Sequence, residues 1–488
     1  MSGPVALAES DANLAGREVA IALRNAGRLF MSLGVTLTVG FLVRFWMPRF
    51  LGPDAFGRVV FAEEFAAVFF VFVTLGAETY IRKEVAIRPQ HATDFLGSLT
   101  LVRLAASAVV AVIMGLALAW MNKSAVEWRL VYVFAAGQFF FVLNTSLASV
   151  LQAAGTVREL AWINAASKVV WGVGIVVGLL FGGGLIAVAL VFLATEAAKA
   201  PLLWRVGGAR VGLRFRVDVG AASAILLASM PYFLNFVAHR IYAKVDIALL
   251  SALTDDLEVG WYGAAANVTF FVYLVLPILN AVVLPMGSRI AHESEAAMHA
   301  TMRGAVRVVL MLTVPLAILI ALNATELVHL LFTASFAPSA DILRILAPIV
   351  PLTYVCVLLS THLIQLGRIW RVTKNSIVCL ILNPALNVVF IPIGHRLLGD
   401  GGAGTAAACA TVVTEGVSAT LLLFALGSSA VDRKLMDLAW RLAACCGAIA
   451  VLHTFTRSLE AYEKSIDPKT MFLLSTDSEL FKYLGRPR

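Results

Sequence analysis

GGGLIAVALVFLATEAAKAPLL (residues 182–203) aligns without gaps on GGAGTAAACATVVTEGVSATLL (residues 401–422). Each opens on glycines, continues as a small-residue apolar helix and carries a Thr-Glu pair well inside it, Thr195–Glu196 and Thr414–Glu415. Upstream of each copy the match continues loosely, LQAAGTVRE (151–159) against IQLGRIWR (364–371). Further back, GRVVFAEEFAAVFFVFV (57–73) stands opposite GWYGAAANVTFFVYLVL (260–276). Three matches in the same order describe a duplicated half, a plan common among proteins that hold a site between repeated lobes in a bilayer.

Composition places that repeat in a membrane. Hydrophobic residues make up 60% of the chain and charged residues 14%, against about 25% charged in soluble domains. A span needs about 20 apolar residues. Segments of that kind lie near 28–47, 59–80, 95–120, 129–152, 161–181, 184–204, 221–250, 259–286, 305–322, 341–366, 372–394, 402–427 and 436–456. The fold expected is an all-α integral membrane protein of about 12–14 transmembrane helices, its core two pseudo-symmetric six-helix bundles. The boundaries expected are an amphipathic N-terminus (1–27), a first lobe (28–205), a basic linker (206–220), a second lobe (221–427), one further helix (428–456) and a polar tail (457–488). An even number of spans per repeat gives both lobes the same orientation, related by an axis along the membrane normal.

Loop charges set the sidedness. The N-terminus (Arg17, Arg24, Arg28) and the even-numbered loops are basic, whereas one odd-numbered loop is acidic (TDDLE, 254–258). The N-terminus is therefore expected in the cytoplasm, and the net charge of +8 reflects this bias rather than nucleic-acid binding. Thirteen spans would put the tail outside; twelve or fourteen would put it inside. The five cysteines, Cys356, Cys379, Cys409, Cys445 and Cys446, all lie in apolar runs and read as packing residues. Metal-ligand spacing is absent, and neither cofactor nor metal is expected.

RFLGPDAFGRVVFA (49–62), TLGAETYIRKEVA (74–86), KVDIALLSALTDDLEVGWYGAAAN (244–267), LLFTASFAPSADILRILAP (330–348) and LNPALNVVFIP (382–392) together resemble the polysaccharide-flippase branch of the MOP (multidrug/oligosaccharidyl-lipid/polysaccharide) exporters. The resemblance covers residues 25–427, and 244–267 is its most specific piece. It implies two V-shaped bundles around a central cavity and alternating access for a lipid-linked oligosaccharide. Many relatives carry two helices after the second lobe, where this chain shows one clear span.

Charges inside the spans nominate the site, because they are costly there and usually face a protein interior or a wet cavity. In span seven Asn235, His239, Tyr242 and Asp246 form one polar stripe, with Arg240 and Lys244 on the opposite face. One face should line the cavity and the other meet a neighbouring helix, unless Arg240 and Lys244 snorkel to the boundary. Arg44 lies near the outer end of span one, and Arg103 roughly 12 Å into span three. Glu63 and Glu64 are adjacent, so one at most points into a cavity. The substrate-binding candidates are Arg44, Arg103, Arg240, Lys244, Asp246, Glu63, Glu64, Asn235 and His239; the three arginines suit a diphosphate because guanidinium groups grip phosphates with fork geometry. Lys168 and Glu196 fall at similar depth and are expected to pair as a scaffold, unless Glu196 bridges Lys199. Glu415 lacks an equivalent cation and is expected to be protonated or bonded to Asn383 or Asn387. Glu415 and Glu196 are the ion-coupling candidates.

The expected function is transport of a polyprenyl-diphosphate-linked oligosaccharide across a bacterial cytoplasmic (inner) membrane for cell-surface polysaccharide synthesis, by a monomer that works beside polysaccharide polymerase and export proteins. A drug/cation antiporter of the same superfamily, a peptidoglycan-precursor (lipid II) flippase and a membrane glycan enzyme are the alternatives. The short odd-numbered loops speak against the enzyme.

Overall fold

A computed structural model of the chain describes residues 4–78, 92–218, 244–272, 295–427 and 432–438 with isolated positions between and beyond them; side chains are described from Met31 onward. Residues Met1–Asp432 form one compact unit and Arg433–Arg488 a second.

The described chain is helical: α1 (Pro4–Thr74), α2 (Ala92–Trp120), α3 (Ala125–Ala153), α4 (Val157–Leu180), α5 (Gly184–Val211), α6 (Val245–Leu253), α7 (Asp256–Val272), α8 (Glu295–Leu322), α9 (Ala324–Leu331), α10 (Ser339–Leu346), α11 (Ile349–Gln365), α12 (Ile369–Leu398) and α13 (Gly402–Leu426). Among the described residues eight stretches are long and apolar enough to cross a membrane, and each coincides with an expected span. Lipid-facing character is plain on α2, where Leu104, Val109, Val112, Ile113 and Leu116 are all exposed.

Spans one and two differ from expectation in how they join. Instead of a loop, α1 runs through both and breaks at Gly52 (φ 76°, ψ 169°), a conformation that glycine reaches without a Cβ clash. Pro53 follows, suited by its fixed φ to start the second limb. Phe45 before the break and Phe56 after it pack on Phe332 and Phe336, themselves in ring contact. Ser124 and Glu127 cap α3 reciprocally, each side chain bonding the other's backbone N–H.

Within the first half α3 and α4 pack on α5, and α1 packs on α4; within the second α12 and α11 pack on α13, and α8 on α11. The halves meet chiefly through α1 against α7. α5 and α13 begin at Gly184 and Gly402, within a residue of the aligned positions.

Candidate functional site

The contacts between the two halves of the chain carry charge. Arg44 on the first limb of α1 donates through Nη1 to Asn267 Oδ1 on α7 at 2.7 Å. Glu64 on the second limb pairs with Lys244, just ahead of α6. Both contacts tie the first lobe to the second, and all four residues fall within expected spans. Lys168 on α4 stands next to Gly40 of α1, its ammonium 3.3 Å from the centre of the Trp171 ring, a cation–π contact. Among neighbouring charges Glu63 and Arg44 both act on Lys168, ahead of Glu196. Arg44, Lys168, Lys244, Glu63 and Glu64 are therefore one neighbourhood, all partly buried.

Several expectations are corrected. Arg103 is not a cavity arginine: it is 2% exposed and seals the first lobe. It pairs with Glu78 at 3.0 Å and donates to Ser146 Oγ at 2.5 Å and to the Thr74 carbonyl at 2.6 Å. A guanidinium that deep survives only with such partners, and they stitch the end of α1 to α2 and α3. Lys168 and Glu196 form no ion pair among the described residues. Glu196 instead accepts from Asn144 Nδ2 at 2.7 Å, while Lys168 turns toward α1. Glu415 does not meet Asn383 or Asn387; Tyr242 donates to it at 3.4 Å, and the Cys356 thiol bonds its carbonyl at 3.7 Å.

Asn383 and Asn387 serve Asp246. That carboxylate, 3% exposed, accepts from Thr411 Oγ1 at 2.6 Å, Asn387 Nδ2 at 2.8 Å and Tyr262 at 3.1 Å. Asn387 also bonds Asn383 Oδ1 at 3.1 Å. Asp246 is thus enclosed by α6, α7, α12 and α13. Of the span-seven residues that are described, Tyr242 meets Glu415 and Asp246 meets Tyr262, Asn387 and Thr411, whereas Lys244 reaches Glu64 of α1. Arg240 is exposed. Asn235 and His239 lie outside the described residues.

The residues that sequence reasoning missed are neutral or distant partners: Asn267 for Arg44, Glu78 for Arg103, Asn144 for Glu196, and Tyr262 and Thr411 for Asp246. Asn267 and Tyr262 sit in the stretch 244–267, so the segment was visible although the pairings were not. At the end expected to be outer, Glu258 accepts from the backbone N–H of Gly401 at 2.8 Å and of Gly404 at 2.9 Å, holding the free donors at the start of α13. Among the described residues no cluster of His, Cys, Asp and Glu could hold a metal ion.

The chain matches the family described as polysaccharide biosynthesis protein over residues 46–341, more than half its length. Curated protein sequences give no match. Among solved structures it is similar to the lipid II flippase MurJ in an inward closed conformation, at 15% identity and TM-score 0.67, over 88% of this chain and 93% of that one. An inward-facing multidrug resistance MATE family transporter of the MOP superfamily matches at 14% identity and TM-score 0.63, over 84% of this chain and 95% of that one. The Vibrio cholerae MATE transporter VcmN matches at 16% identity and TM-score 0.56, over 86% of this chain and all of its own, 100%. The chain belongs to the polysaccharide biosynthesis protein family and has the fold of the MOP superfamily transporters.

Proposed function

We propose that this protein flips a polyprenyl-diphosphate-linked oligosaccharide from the cytoplasmic to the outer leaflet by alternating access. The observation that carries the reading is the set of cations where the two halves of the chain meet: Arg44 of α1 reaches across to Asn267, and Lys168 packs on Gly40 of the same helix. The polyprenyl tail can remain in lipid, while the diphosphate and sugars need a polar path. Arg44 offers the forked donor set that matches a phosphate, and Lys168 adds a point charge. Lys244 is held by Glu64, a contact that an anionic head can compete for. Arg103, locked to Glu78, takes no part in binding.

A coupling role fits the acids of the second lobe better than Glu196. Asp246 lies in a nest of neutral donors, with no ion pair among the described residues, and Glu415 Oε2 has no hydrogen-bond partner. A carboxylate so enclosed in a membrane favours a proton or a monovalent cation. The membrane potential is the competing drive: about two charges crossing the full field would gain about 4–5 kcal/mol at 100 mV.

Proteoliposomes containing a labelled polyprenyl-diphosphate oligosaccharide test the reading through the sidedness of the head group. Arg44→Gln and Lys168→Gln should each slow transfer about tenfold or more, the effect of losing a charge-assisted contact, in protein that remains folded. Normal transfer by both variants would sink the assignment. Transfer of an organic cation, with none of the oligosaccharide, would favour the drug antiporter instead.

A further inference from the structure

The two copies of the repeat touch where α1 crosses α7. A Cβ on Gly57 would lie 1.9 Å from the carbonyl oxygen of Asp256, and a Cβ on Gly260 would lie 2.0 Å from the carbonyl oxygen of Pro53. Neither fits, so both positions require glycine for backbone to meet backbone. The contacts are reciprocal: each glycine touches the residue one helical turn ahead of the other glycine. Gly57 and Gly260 are also the opening residues of the matching segments 57–73 and 260–276. The crossing therefore falls where the matching segments set equivalent positions against each other.

Its surroundings are not symmetric. On one flank Phe56 packs edge-on against Phe336, ring centroids 6.2 Å apart. On the other, Asp256 of the second lobe lies 3.0 Å from Arg58 Nε and 3.7 Å from Lys123 Nζ of the first. Arg58 also reaches Asp54, and Lys123 reaches Glu127. The residue opposite Asp256 in the repeat is Pro53, which has no charge to return the contact. The ion cluster is a one-sided latch on an otherwise paired contact. Glycine crossings bring backbones together while interlocking few side chains, and partly exposed ion pairs are weak; the arrangement closes tightly and separates readily.

We propose that the Gly57–Gly260 crossing is the outer gate of the transporter, shut by backbone contact and latched by Asp256 between Arg58 and Lys123. This rests on the alternating-access reading above. It makes Gly57, Gly260 and Asp256 determinants of how often the inter-lobe space opens outward, with no part in binding the head group. A side chain at either glycine wedges the gate; loss of the Asp256 charge unlatches it without a steric change.

The test uses full-length protein with its five cysteines replaced and Asn267→Cys introduced as a reporter, since Asn267 lies on α7 seven residues beyond the crossing and faces Arg44. A membrane-impermeant maleimide is added from outside to cells or oriented vesicles. Gly57→Val and Gly260→Val should each raise the labelling rate about tenfold, and Asp256→Asn should raise it severalfold, as expected for a shift in a two-state equilibrium. If the valine variants fail to fold, Asp256→Asn and Gly57→Ala decide. Unchanged labelling in folded variants overturns the gate. Labelling needs no substrate, so a gate that opens in protein unable to move lipid-linked oligosaccharide would leave this inference standing and remove the substrate reading alone.

Discussion

Arg103 and Arg44 look alike in the sequence, each an arginine inside an apolar run, yet they have opposite surroundings. Arg103 is enclosed with a carboxylate, a hydroxyl and a carbonyl; Arg44 spans two lobes to a neutral amide. The difference has a measurable consequence. Arg103→Ala leaves Glu78 without its buried partner and should destabilise the protein by about 3–5 kcal/mol, read from thermal unfolding in detergent. Arg44→Gln should leave the melting temperature nearly unchanged while slowing transfer. Asp246 belongs to a third class. Asp246→Asn keeps the shape of its nest and should remove any dependence of transport on a proton or sodium gradient, with folding retained; a gradient dependence equal to the wild type would exclude Asp246 from coupling. The residue scale also shows why depth alone misled. A span position gives distance from the boundary, whereas the side of the helix that is covered depends on neighbours distant in sequence, such as Glu78 and Ser146.

At the scale of elements, local sequence signals were legible wherever the determinants are themselves local. The capping box of α3 is written in Ser124 and Glu127, and Ser124→Ala should cost about 1 kcal/mol of stability in a denaturation series. The break in α1 is different. Gly52–Pro53 lies between two expected spans, and helix geometry resumes at once on both sides of the break. Gly52→Ala would force a Cβ into a backbone region that L residues avoid and should cost about 1–3 kcal/mol. The repeat in α5 and α13 was readable from matching glycines and Thr-Glu pairs. The partners of those acids were not: Glu196 meets Asn144, and Glu415 meets Tyr242. Duplication conserves where a helix begins more faithfully than what its polar side chains touch.

At the scale of the whole molecule, the lobes are coupled through contacts of modest strength. Glu64 and Lys244 are partly exposed, 15% and 32% by side chain, so a double-mutant cycle with Glu64→Ala and Lys244→Ala should give a coupling of about 1 kcal/mol or less.

By itself the sequence determined the membrane class, the positions of the eight spans found among the described residues, and the family, because hydrophobicity and short motifs are encoded over short windows. Only the tertiary structure decided which charges are scaffold and which face the other lobe. It removed Arg103 from the candidate site, divided Lys168 from Glu196, enclosed Asp246 with Asn387 and Thr411, and set Gly57 against Gly260. Each of those facts joins residues tens to hundreds of positions apart, where helix packing rather than local pattern chooses the partner.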